Sequence, residues 1–64
     1  MSVQFVKYDP ESMTLTIRFD GGEVYEYGMV PSDAGRAAET ALTGGDHGYF
    51  RGHIRGIYPT KRVG

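Results

Sequence analysis

Between Met13 and Phe19 the side chains alternate: Met13, Leu15, Ile17 and Phe19 on one side, Thr14, Thr16 and Arg18 on the other. Successive strand side chains point to opposite faces, so this run predicts a half-buried antiparallel strand with one wet face. Asp20-Gly21-Gly22 follows as turn chemistry, and then Tyr25-Glu26-Tyr27. Register across that turn decides where the tyrosines go, because a one-residue slip exchanges the two faces. A two-residue Gly21-Gly22 loop pairs Phe19 with Val24 and Ile17 with Glu26, setting a carboxylate on the apolar face. One more loop residue pairs Phe19 with Tyr25, Ile17 with Tyr27 and Leu15 with Met29. A three-residue or bulged turn is therefore expected, with Tyr25 and Tyr27 facing the core and their hydroxyls directed to its edge.

On the N-terminal side, Ser2 to Tyr8 is rich in β-branched and aromatic residues and predicts a first strand, closed by the Asp9-Pro10-Glu11-Ser12 turn. Pro31-Ser32-Asp33 predicts a helix start, with Ser32 as the capping hydroxyl. Ala34, Ala37, Ala38, Ala41 and Leu42 then form one apolar stripe that ends at Gly44-Gly45. Small side chains let such a helix approach a sheet closely, so large sheet residues must fill the volume. Phe50, Ile54 and Ile57 have helical spacing, but Gly48, Gly52 and Gly56 weaken a helix by about 1 kcal/mol each. A short helix over 48–55 is expected, then an extended Ile57-Tyr58-Pro59, with 60–64 a flexible tail. The predicted fold is α+β: one domain over 1–64, a three-stranded antiparallel meander packed on one face by the Ala-rich Pro31–Thr43 helix, plus a short C-terminal helix.

A chain of 64 residues is near the size at which a single core only just supports folding. With no cysteine, disulfides and thiolate metal sites are excluded. No apolar run approaches the ~20 residues that span a bilayer, and no signal peptide is visible, so a cytoplasmic protein without membrane contact is expected. The net charge of −1 is unevenly distributed. Residues 1–44 carry three cations (Lys7, Arg18, Arg36) against seven carboxylates, a net −4. Residues 45–64 carry Arg51, Arg55, Lys61 and Arg62 against Asp46 alone, a net +3. That end is predicted to bind anions.

In order and in content, the chain resembles the KTSC domain family, named for its occurrence at the C-terminus of some lysyl-tRNA synthetases and found also as short bacterial and phage proteins. The resemblance rests on Tyr8-Asp9-Pro10 after the first strand, the central Tyr25-Glu26-Tyr27, Val30-Pro31, and then Tyr49-Phe50, Ile54-Arg55 and Tyr58-Pro59. It departs at Gly52, where a polar residue is commoner, and in the longer glycine-rich loop Thr43–Gly48. The resemblance implies RNA binding, through the link to the synthetase, and no assigned catalytic residues.

The residues themselves offer several sites. Tyr49, Arg51, His53, Arg55, Tyr58, Lys61 and Arg62 combine cations with stacking surfaces and form the expected interface for RNA or single-stranded nucleic acid. Arg51 and Arg55 are expected on one helical face. Tyr25 and Tyr27 are secondary contacts if their rings reach the surface. Gly45 and Gly48, in the loop before the second helix, offer backbone N–H groups to a phosphate. They are the basis of an alternative reading as a small-nucleotide or anion-binding protein using Arg51, such as a phage-type sequestering protein. A third reading is a protein–protein or self-associating domain, a homo-oligomer through Val3 and Phe5. Asp46, His47 and His53 lack a metal-ligand spacing, so no metal, no cofactor and no enzymatic activity are expected.

Overall fold

The computed structural model describes residues 2–64. Strands β1 (Val3–Asp9), β2 (Thr14–Phe19) and β3 (Val24–Tyr27) form the expected meander, followed by helices α1 (Ser32–Thr43) and α2 (Gly48–His53). A fourth strand, β4 (Thr60–Arg62), completes an antiparallel sheet of order β1-β2-β3-β4. The α+β class is as expected, but the sheet has four strands rather than three. The segment expected to be a loose tail pairs with β3, Arg62 opposite Tyr25 and Thr60 opposite Tyr27. Beyond it, the Val63 N–H still donates to Val24 O at 2.8 Å.

The β2–β3 turn has three residues, as the alternation requires, but they are Asp20-Gly21-Gly22. Phe19 N–H donates to Glu23 O at 2.9 Å, and Gly22 sits at φ +92, the left-handed conformation that glycine adopts without strain. Leu15 consequently pairs with Tyr27 and Ile17 with Tyr25. This register is two residues from the expected one, an even shift that leaves every side chain on its predicted face. Met13 and Met29 are the exceptions. Both are left-handed turn residues, at φ 54 and φ 60, and they lie exposed outside the strands.

A bulge at Gln4 corrects the reading of β1. Val3 pairs with Phe19 and Phe5 with Arg18, so the strand turns over between them. Val3 packs against the core, while Phe5 points out from the open face. The two do not form one surface for self-association.

Helix α1 starts at Ser32, with Pro31 at the N-cap and no side-chain capping bond, so Ser32 is the first helical residue and not the cap. Its end is a Schellman motif. Asp46 N–H donates to Ala41 O, Gly45 N–H donates to Leu42 O, and Gly45 stands at φ +85. The helix packs over β1 through Gly35 as well as through the alanines. A Cβ at Gly35 would overlap the ring of Tyr8, so glycine here admits the tyrosine against the helix backbone. The Tyr8 hydroxyl donates to Val30 O at 2.6 Å, and Glu39 Oε2 accepts the Tyr8 N–H at 3.0 Å on the sheet edge. Tyr8, Leu15, Ile17, Tyr27, Val30, Ala38, Leu42, Phe50 and Ile54 make up the buried core.

Candidate functional site

Helix α1 lies over β1 and does not reach β3; the inner face of β3 is met by Phe50 of α2. Helix α2 has only six residues and covers that face incompletely. Phe50 is its one buried residue and meets the sheet edge-on, 5.4 Å from the Tyr27 ring and 6.3 Å from Phe19. Phe19 in turn meets Tyr25 at 5.8 Å and 69°. These four rings floor a cleft of about 570 Å³ between α2 and the β2–β3 turn, within the range of small-ligand sites. Arg55 forms one wall, and Asp20 and Glu23 of the turn form another.

The three inward tyrosines differ at their hydroxyls. That of Tyr8 is bonded within the core. Among the described residues, neither the Tyr25 nor the Tyr27 hydroxyl bonds to protein; both residues line the cleft, and neither hydroxyl is a buried atom left unsatisfied. Tyr27 is 5% exposed, and burial holds its phenol above the usual 10.0, partly offset by the positive charge of Arg55.

The residues expected to form one basic and aromatic patch are distributed over three surfaces. Tyr49 and His53 lie one helical turn apart and stack, with ring centroids 4.3 Å apart and planes 9° from parallel. Arg51 is exposed on the same helix, about half a turn round from them. Arg55 does not continue the face of Arg51, because the helix ends at His53 and the Arg55 N–H bonds back to Phe50 O across a wider turn. That wider turn brings Arg55 to the cleft. Arg62 shares the inner side of the sheet with Tyr25, its guanidinium donating to Gly64 O at 3.0 Å. Lys61 lies on the opposite side, level with Glu26. Tyr58 is half-buried against the core, and Ile57 is exposed rather than part of an apolar stripe.

The glycine loop does not present a phosphate cradle. The N–H groups of Gly44, Gly45 and Asp46 bond to carbonyls of α1, and Asp46 Oδ1 accepts the Gly48 N–H at 2.9 Å. Gly45 is the helix-ending residue and Gly48 the first residue of α2. No group of three or more potential metal ligands occurs among the described residues, and no helix among them is long and apolar enough to cross a membrane.

The turn carboxylates Asp20 and Glu23 line the candidate cleft, and sequence reasoning misses them. Asp20-Gly21-Gly22-Glu23 reads as turn chemistry, and only the packing of α2 brings it opposite Arg55.

Architecture and cleft together define a small α+β domain, a three-stranded antiparallel meander extended by a fourth strand, half covered by one helix and closed at one side by a short second one. The KTSC domain model matches residues 2–58, and the chain belongs to that family. It is similar to lysine–tRNA ligases of a Nostoc species (35% identity over 61 residues, 95% of this chain) and of Nostoc punctiforme (41% over 56 residues, 88% of this chain). In both cases it spans only 10% of the length of the relative. In structure it resembles a KTSC domain protein from Yersinia pestis, with a TM-score of 0.78 and 30% identity, covering 100% of this chain and 90% of that one.

Proposed function

We propose that this domain is a non-enzymatic binding module for RNA or single-stranded nucleic acid. The observation that carries the reading is the pairing of cations with aromatic surfaces along one short segment, on more than one side of α2: Tyr49 stacked with His53, Arg51 about half a turn round from them, and Arg55 beside an aromatic cleft. Every unpaired base offers a π-face to such rings, and guanidinium groups neutralise the phosphates between bases. The net +3 of residues 45–64, against −4 for the rest, supports anion binding by that segment. The lysine–tRNA ligase relatives handle an RNA substrate by name, which supports the same ligand class.

Replacing Arg51 and Arg55 with alanine tests this. Both side chains are exposed, so the melting temperature is expected to change little, within the range of about ±0.5 kcal/mol typical of surface positions. Affinity for a short single-stranded RNA at low salt should fall. For every phosphate that the variant no longer neutralises, the slope of log K against log salt should become shallower by about 0.7. A salt-independent affinity, or no binding at low salt, would sink the reading.

A further inference from the structure

The cleft poses a problem for any polyanion. Arg55 supplies one positive charge, but Asp20 and Glu23 line the same space. The Glu23 carboxylate lies over Gly21, close to where a Cβ would be, so glycine at that turn position leaves it room. An internal stretch of nucleic acid, with a phosphate on both sides of each sugar, would bring one phosphate against these carboxylates. A nucleotide with no phosphate beyond its sugar avoids that repulsion. Its two neighbouring ribose hydroxyls are donors, and a carboxylate accepts from both, the chemistry by which acidic side chains hold ribose in nucleotide sites.

We propose that the cleft is the site for a ribonucleotide with a free terminal cis-diol. The diol is held by Asp20 and Glu23, the base lies on the half-exposed ring of Tyr25, and the phosphate on the other side of the sugar meets Arg55. The Tyr27 hydroxyl, on a residue that lines the cleft, serves that same phosphate from the floor. One phosphodiester charge matches one guanidinium, and one diol matches the carboxylate pair, so the last nucleotide of an RNA chain fits the charge pattern. A free nucleoside monophosphate presents the same groups. The RNA form of the proposal rests on the preceding reading; the cleft assignment itself does not.

The test compares one short single-stranded RNA with three ends: the natural diol, a terminal phosphate, and a sugar lacking both hydroxyls. Adenosine monophosphate, in a separate titration, is the free-nucleotide probe. The diol end is expected to bind more tightly than either modified end by roughly ten- to a hundredfold, the value of charge-assisted hydrogen bonds in a partly open site. Asp20→Asn with Glu23→Gln should abolish that preference, and Tyr27→Phe should weaken the diol-ended RNA while keeping the ring that packs on Phe50. Binding of adenosine monophosphate, lost in the carboxylate variant, with no binding of any RNA supports the cleft assignment and overturns the RNA reading. Equal affinity for all three ends, with no measurable adenosine monophosphate binding, overturns the cleft assignment and leaves the RNA reading standing.

Discussion

Tyr8 and Tyr27 face the same core and are used differently. Tyr8 completes its hydrogen bonding inside the fold through Val30 O, and its N–H is covered by Glu39. Tyr27 buries its ring against Phe50 but leaves its hydroxyl to the cleft. This difference has a pH signature. Burial raises the Tyr27 phenol above 10.0 in the folded state, so the folded chain holds that proton more tightly than the unfolded chain does. Its stabilising contribution is complete below pH 10.0 and is lost as pH climbs through the raised folded value. Thermal melts taken across that alkaline range should show a steeper loss of stability in the native chain than in Tyr27→Phe. Identical pH profiles would mean that the hydroxyl is as well solvated as in the unfolded chain.

Among the elements, the join between α1 and β1 depends most on one missing atom. Gly35→Ala adds helix propensity worth about 1 kcal/mol. It also drives a methyl group into the Tyr8 ring, and overpacking of that kind costs about 1–3 kcal/mol. Net destabilisation is expected, a fall in melting temperature of several degrees for a domain this small; an unchanged or raised melting temperature would show that the ring has room to move. The alanine stripe makes this helix legible in the sequence, as alternation makes β2 and the parity of the hairpin legible. Gly35 is not legible, because a glycine inside a helical pattern gives no sign of what lies over it. Strand β4 is hidden for a related reason. Thr60-Lys61-Arg62 has no apolar alternation, and its three residues are exposed, so its order comes from backbone pairing with β3. Helix α2 is legible but shorter than its apolar spacing predicts, and the turn at Ile54–Ile57 that carries Arg55 to the cleft leaves no periodic signature.

At the scale of the whole molecule, the two helices divide one sheet unequally. Helix α1 seals the β1 side around Tyr8, while α2 is too short to seal β3, and the uncovered aromatic rings become the floor of a cleft. Along the sequence charge divides into an acidic body and a basic end, but the cleft draws on both, with Arg55 from the basic end and Asp20 and Glu23 from the acidic body. The outer face of the sheet sets Lys7 and Lys61 in one row with Thr16 and Glu26, and Arg18 lies on the same face. The central proposal is one of location: nucleic acid is expected to bind at α2, Arg55 and the cleft. Amide chemical-shift mapping with a short single-stranded RNA tests it most directly. The account predicts shifts that saturate together at residues 49–55 and at the turn 20–25, and that shrink as salt is added. Shifts confined to the outer sheet face, or none at low salt and high RNA concentration, would contradict it.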